Sequence, residues 1–279
     1  MLRDFAQVDV FTTEPTRGNP VAVVLDGDGL DDEAMAAFAR WTNLSETTFV
    51  CTASDPAADY RLRIFTPDRE LPFAGHPTLG SAHAWLARGG TPRGADVVQE
   101  CGIGLVTIRV SGGRLAFAAP PLLRSDPPDP ATLGQIRVAL GLAEGNVVDA
   151  AWVDNGPPWI GVLVDSASRV LAIRPDFAAL GEYMVGVVGP YPEEEGPDGA
   201  AWEVRAFAPA AGVPEDPVTG SLNAGLALWL RSSGRVPARY TASQGTALER
   251  AGRVVVVDDG EDVWIGGDSV GVIEGTVDL

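Results

Sequence analysis

A chain of 279 residues, 46% of them apolar, has material for one large or two ordinary cores. Its 38 acidic against 20 basic side chains leave a net charge of −18, which repels nucleic acid and anionic membrane surfaces and excludes both as expected partners. No run of 18 apolar residues and no charged-then-apolar leader is present, so the expected location is cytoplasmic.

Residues 5–11 alternate apolar and polar as a strand does. After a loop over 12–17, Gly18-Asn19-Pro20 opens a second strand over 21–25. Asp31-Asp32-Glu33 starts a helix with acids in its first turn, and apolar Met35, Phe38, Ala39 and Trp41 follow at helical spacing. Residues 43–50 end that helix and begin a strand, and 62–67 alternate again. Gly75-His76-Pro77-Thr78-Leu79-Gly80 then leads into an apolar helix over 81–86, followed by strands over 97–99 and 106–110. Cys51 and Cys101 are the only cysteines, too few for a disulfide framework or a zinc site, and read as reduced, buried thiols.

The prolines of 124–130 forbid both a helix interior and a central strand. The lobe boundary is placed there, giving an N-terminal lobe of 1–125 and a C-terminal lobe of 126–279 that starts with a short helix over 131–140. The second half repeats the first. Gly156-Pro157-Pro158 and a strand over 159–164 answer Gly18-Asn19-Pro20 at an offset of 138. A helix around 175–183 and a strand over 185–188 follow. Residues 204–209 answer 62–67 at an offset of 142, and Gly220-Ser221-Leu222-Asn223-Ala224-Gly225 answers Gly75 to Gly80 at 145. Strands over 240–244 and 254–257 complete the parallel, so each half reads as strands around one mostly apolar helix. The last strand, over 270–277, is free to join either lobe. The acidic runs at 193–195 and 258–262 read as solvated loops.

A G-x-x-x-x-G spacing suggests a phosphate loop, but that loop needs Lys-Ser/Thr directly after the second glycine. Ser81-Ala82 and Leu226-Ala227 stand there instead. A glycine turn before a helix still presents backbone N–H groups and the positive dipole end, which suits a carboxylate. Two such starts, at Gly75 and Gly220, facing each other would make one anion site between the lobes.

Two histidines are present. His76 follows the turning glycine and is placed in the site; His83, two turns deeper among apolar neighbours, reads as structural. Glu46 stands in an uncharged segment beside Phe38, Trp41 and Phe49, where apolar surroundings raise a carboxyl pKa toward the range useful for moving protons; a capping role for Ser45 or Glu46 is equally open. Asp216, just before the second glycine turn, is a candidate site acid or a turn acid fixing its loop. Asn19 and Ser221 are small polar residues beside turning glycines, suited to hold a carboxylate or amine. A Ser221-His76-Asp216 hydrolase is disfavoured because the serine lacks a G-x-S-x-G elbow. Arg63 and Arg205, at matching strand positions, read as members of surface or lobe-internal ion pairs.

Together Val8-Asp9-Val10-Phe11-Thr12, Gly18-Asn19-Pro20-Val21, Asn43-Leu44-Ser45-Glu46-Thr47, Arg63-Ile64-Phe65-Thr66-Pro67, Phe73-Ala74-Gly75-His76-Pro77-Thr78-Leu79-Gly80 and Glu215-Asp216-Pro217-Val218-Thr219-Gly220-Ser221 resemble the PhzF-like family of phenazine-biosynthesis isomerases. The resemblance implies the α+β fold of diaminopimelate epimerase, two similar lobes each with a β-barrel-like sheet around a central helix, and a homodimer that needs no metal or organic cofactor. It implies that Glu46 is the general acid/base and that His76, Asp216 and Ser221 hold the substrate, a small unsaturated carboxylate of which trans-2,3-dihydro-3-hydroxyanthranilate is the candidate. The epimerase relatives place a cysteine before each glycine turn; Ala74 and Thr219 stand there in this chain. A two-thiol racemase is therefore excluded, and a single carboxylate working on one face fits better. The rival readings are a binding protein that does no chemistry, and a racemase or epimerase in which Glu46 works with a second base.

Overall fold

The computed structural model describes residues 1–279, the side chain of Glu194 in the acidic run at 193–195 lying outside the described residues. The chain divides into two compact units, Met1–Ala118 with Gly266–Leu279, and Ala119–Ile265. The break thus comes seven residues before the expected 125/126 boundary. The end of the chain also returns to the first unit: the C-terminal strand Ser269–Asp278 pairs antiparallel with β1 (Leu2–Val10) along its whole length. Pro127 and Pro128 lie in a stretch that is neither helix nor strand and Pro130 opens a helix, but contacts decide membership, and residues from Ala119 to Ile265 make theirs within the second unit. The backbone of Leu123 and Arg124, for example, is bonded to Asp154.

In the first unit β1 pairs antiparallel with β2 (Asn19–Val24), and β2 parallel with β3 (Thr47–Cys51). β3 pairs antiparallel with β4 (Tyr60–Phe65), which takes β5 (Glu70–Leu71) antiparallel and β6 (Val97–Cys101) parallel; β7 (Gly104–Ser111) and β8 (Arg114–Ala118) follow as antiparallel neighbours. The parallel step between β2 and β3 is crossed by α1 (Asp32–Thr42), as a parallel pair requires. Asp31 caps α1 by accepting from the Ala34 N–H at 2.9 Å, Asp32 and Glu33 occupy its first turn, and Asn43 closes it in the left-handed conformation at φ 53°. Its apolar face joins Met35, Phe38 and Ala39 to Val24, Phe49 and Phe65 in one cluster, where Phe49 and Phe65 meet edge to face at 5.7 Å. Trp41, grouped with Met35, Phe38 and Ala39 by spacing, is 79% exposed and stacks on the outside of Phe38, because 3.6-residue periodicity places it at the stripe's edge, on the rim of an open groove.

The second unit repeats the scheme. After α3 (Pro130–Leu140), capped by Asp129, β9 (Val147–Trp152) pairs antiparallel with β10 (Trp159–Val164), and β10 parallel with β11 (Met184–Pro190). β12 (Trp202–Ala208) lies antiparallel to β11 and to β13 (Val213–Asp216) and parallel to β14 (Arg239–Gln244), which pairs with β15 (Gly252–Asp258). The order of antiparallel and parallel steps is that of the first unit. The helix expected around 175–183 is one turn, α5 (Phe177–Leu180), while most of the crossover is α4 (Ala167–Ala172), started by a Ser166 cap. Pro175 separates them, since it cannot sit inside a helix. Ile136, Leu140, Ile160, Val162, Val185, Val187 and Phe207 form the core.

Each unit is centred on a thirteen-residue helix, α2 (Gly75–Ala87) in the first and α6 (Gly220–Ser232) in the second, with nine buried residues apiece. The second glycine of each motif permits a close approach. A Cβ on Gly80 would lie 2.4 Å from Val21 Cγ1, and one on Gly225, at the same offset of 145, would lie 2.4 Å from the Val153 carbonyl oxygen. The G-x-x-x-x-G spacing therefore serves helix-to-strand packing.

Candidate active site

The first unit gathers Asn19, Glu46, Gly75 and His76. Asn19 is fully buried at the first position of β2, opposite Val10. It is held there by the preceding turn: the buried Asp9 carboxylate accepts from the Gly18 N–H at 2.9 Å, and Gly18 leaves no room for a Cβ, which would stand 2.2 Å from the Val10 carbonyl oxygen. Phe11, fully buried at φ 65°, turns the chain out of β1 into this loop.

Gly75 and His76 are the first two residues of α2. Ala74 offers no side-chain cap and the first turn holds no acidic residue. Pro77, in third place, has no N–H to leave unsatisfied. The start of α2 is thus a dipole end with open donors, in contrast to α1 and α3, which aspartates close.

The His76 side chain is 6% exposed, and its Nε2 stands 3.5 Å from Glu46 Oε2. Burial pushes the imidazole pKa down to about 3, against the opposing pull of a bond to the Pro20 carbonyl. His76 is therefore neutral at pH 7, and its contact with Glu46 is not an ion pair. Nε2 has no hydrogen-bond partner among the described residues, so the bond to Pro20 is made by Nδ1–H. Nε2 then carries the lone pair and faces the carboxyl group. Glu46 lies between the end of α1 and β3 with its side chain 15% exposed. His83, by contrast, is half-buried further along α2, and desolvation lowers its pKa while nearby Glu274 opposes.

The second unit gathers Asp216, Gly220 and Ser221. Asp216 ends β13, and its Oδ2 accepts from the Thr219 hydroxyl at 2.6 Å, so it does fix its own loop. α6 begins at Gly220 with no side-chain cap from Thr219 and no acid in its first turn, matching α2. Ser221 Oγ accepts from the Trp159 indole N–H at 3.1 Å, which leaves its own hydroxyl proton to be donated, and Asn155 holds the Ser221 carbonyl at 2.9 Å.

Arg205 is locked into Glu215 by two bonds of 2.8 Å and gives further bonds to the Val170 and Ile173 carbonyls; Arg63 pairs with Glu70 and Asp32. Arg205 thus forms a lobe-internal pair and Arg63 a pair at the surface, the two kinds of pairing expected. Sequence reasoning missed the buried side chains that hold these loops: Asp9, Gln99, Asn223 and Gln244. Gln99 to Gln244 and Thr78 to Asn223 repeat the 145-residue offset of the glycines, a signal that was available.

Among the described residues no group of three His, Cys, Asp or Glu side chains is placed to hold a metal ion, and no helix is long and apolar enough to cross a membrane. A groove of about 430 Å³ beside α1, lined by Phe5, Phe38, Trp41, Leu44, Ile273 and Val277, contains none of these site residues.

Comparison with known proteins gives a consistent result. The family model described as phenazine biosynthesis-like protein matches residues 8–275. The chain is 38% identical over 296 aligned residues to antisense-enhancing sequence 1 of Schizosaccharomyces pombe, covering 97% of each chain. It is 34% identical to the trans-2,3-dihydro-3-hydroxyanthranilate isomerase of Pseudomonas aeruginosa over 92% of this chain and 90% of that one. Among solved structures, a PhzF-family protein of Enterococcus faecalis superposes over 100% of both chains with a TM-score of 0.82 at 26% identity. A hydroxyproline epimerase of Agrobacterium vitis covers 99% of this chain and 92% of its own with a TM-score of 0.56 at 15% identity, a likeness of fold alone.

Proposed function

Since the chain belongs to the phenazine biosynthesis-like family and is an isomerase, we propose that it moves one proton between two carbons of a small unsaturated carboxylic acid, with Glu46 as the only base. The observation that carries this reading is the pairing of Glu46 Oε2 with the lone-pair nitrogen of a neutral His76, 3.5 Å away at an uncapped helix start. In the resting state the Glu46 carboxylate takes a proton from an activated C–H, and the electron pair of that bond shifts along the conjugated system. The protonated carboxyl turns its O–H to His76 Nε2, which accepts it without becoming charged. The same proton is then returned to a second carbon on the same face, leaving Glu46 as it began. No electrons are gained or lost. General acid/base help of this kind contributes about 10² to 10⁴ in rate.

Gly75 and Gly220 are assigned as substrate-binding residues, each through the open N–H groups of the helix it starts, where an anion gains roughly 0.3–1 kcal/mol from that helix dipole. Ser221 donates its hydroxyl proton, and Asp216 and Asn19 orient the amine or hydroxyl of the substrate. The 34% identity to an enzyme named for trans-2,3-dihydro-3-hydroxyanthranilate supports that compound as the first to try. The homodimer and the cytoplasmic location remain parts of the same proposal.

The test is proton exchange. Wild type and Glu46→Gln are incubated with trans-2,3-dihydro-3-hydroxyanthranilate in deuterated buffer and followed by NMR. Wild type is expected to consume the compound, and the variant to bind it with nearly unchanged affinity while turning it over at least 100-fold more slowly, at the low end of the general acid/base range. Full activity in the variant would sink the assignment of Glu46.

A further inference from the structure

We infer that Gln244 is a positioning residue for the Asp216 loop and the start of α6, and that Gln99 is its duplicated counterpart under α2. The inference rests on the proposed function for its consequence in turnover, but not for its geometry. Gln244 ends β14 and is fully buried. Its Oε1 accepts from the Thr219 backbone N–H at 3.0 Å and from Asn223 Nδ2 at 2.8 Å. Its Nε2 donates to the Asp216 carbonyl at 3.1 Å and to the Thr219 hydroxyl at 3.0 Å. An amide has two donor protons and two acceptor lone pairs, and all four are used on a single loop and helix start.

The direction of these bonds matters. The Thr219 hydroxyl accepts from Gln244 and therefore gives its own proton to Asp216 Oδ2 at 2.6 Å, so the amide sets which way the hydroxyl points and which carboxylate oxygen is occupied. The backbone on either side is fitted to the same arrangement. A Cβ on Gly245 would meet the Pro217 carbonyl oxygen at 2.7 Å, and one on Gly252 would meet Val218 Cγ2 at 2.3 Å, so β14 and β15 press directly on residues 217–218.

In the first unit Gln99, fully buried on β6, donates to the Thr78 hydroxyl at 3.1 Å and accepts from Tyr60 at 3.2 Å. Thr78 and Asn223 are the fourth residues of α2 and α6. Both glutamines thus bolt the first turn of a glycine-started helix to the strand beneath it, and only the second reaches back to the loop that carries a site acid. A buried network with every member satisfied holds one geometry, and losing one member leaves several polar groups bare.

The experiment uses the full chain and four proteins: wild type, Gln244→Met, Gln244→Glu and, as a control for general destabilisation, Ile160→Val in the core of the second unit. Thermal unfolding, kcat and KM on trans-2,3-dihydro-3-hydroxyanthranilate, and amide hydrogen exchange at Thr219 are measured. Gln244→Met is expected to raise KM at least tenfold and speed Thr219 exchange at least tenfold. Gln244→Glu, which keeps an acceptor for Thr219 N–H and Asn223, recovers part of both. Ile160→Val lowers the melting temperature with KM within twofold of wild type. A Gln244→Met enzyme whose loss lies only in kcat, in step with its loss of folded protein, overturns the positioning role. If wild type does not act on the compound, the reaction is wrong and exchange alone decides: faster Thr219 exchange in Gln244→Met supports the bolt, and unchanged exchange overturns it.

Discussion

A neutral imidazole buried at the start of α2 makes the stability of this protein depend on pH in a way that a single substitution isolates. Unfolded His76 takes up a proton below about pH 6.5, whereas in the folded chain burial holds its pKa down to about 3. Between those two values the unfolded state binds more protons at this site, so stability falls as pH falls and is whole only above pH 6.5. The gap of 3.5 units amounts to about 4 kcal/mol at pH 3, and to about 2 kcal/mol at pH 5, at 1.36 kcal/mol per unit. That is a large share of the roughly 5–15 kcal/mol that folded proteins possess. The comparison is between wild type and His76→Asn, which keeps a polar N–H for the Pro20 carbonyl and has nothing to titrate. Urea unfolding at half-unit steps from pH 7.5 to 5.0 gives the two curves. The difference between them cancels His83, whose pKa is also lowered, and every carboxylate that does not touch position 76, leaving the imidazole and the Glu46 carboxyl 3.5 Å from it. It is expected to grow by about 1.4 kcal/mol per unit once below pH 6.5. Curves that stay parallel down to pH 5 would refute the argument, because the imidazole would then titrate alike in both states and would not be the neutral acceptor that the proposed proton transfer needs.

The duplicated arginines give a second test. Arg205→Ala strands a Glu215 side chain that is 10% exposed and is expected to cost roughly 3–5 kcal/mol, while Arg63→Ala, whose partners Glu70 and Asp32 are 42% and 85% exposed, is expected to cost about 1 kcal/mol; similar urea midpoints for the two would contradict this. Alanine at the two packing glycines should also differ. The new methyl at position 80 meets side chains of Val21 and Val10 that can yield, at a cost of about 1–3 kcal/mol, whereas at position 225 it meets the backbone oxygen of Val153 and should cost more, a ranking that thermal unfolding of the two variants checks.

Much of this fold was legible because its signals are local or repeated. Alternation over 5–11, the acids that open α1, and the matched glycines at 75 and 220 each fix an element through the few residues around it. What was not legible depends on partners far away in the chain. Spacing alone grouped Trp41 with Met35, Phe38 and Ala39, yet it lies on the rim of an open groove and stays 79% exposed. The crossover in the second unit was read as one helix although Pro175 had to divide it. The final strand carried no mark of its lobe, since a strand's face pattern says which side is buried and not which neighbour it pairs with. At the site, Glu46 and His76 stood out by residue type, thirty positions apart. Their 3.5 Å approach, and the neutrality that burial imposes on His76, follow from how α2 settles against β2 and β3. Gln244 escaped notice because glutamine on a strand is ordinary until its four bonds are seen.

The pairing of β1 with Ser269–Asp278 also orders events during synthesis. Leu2 faces Asp278, and the ammonium of Met1 lies 2.7 Å from an Asp278 carboxylate oxygen. The second unit is one uninterrupted stretch, whereas the opening strand of the first is short of a neighbour while about 260 residues are added at roughly 5–20 per second. For tens of seconds the nascent chain therefore carries β1 without the strand that pairs with its whole length. Joining the two ends and opening the chain near residue 119 would make both units contiguous and remove that wait.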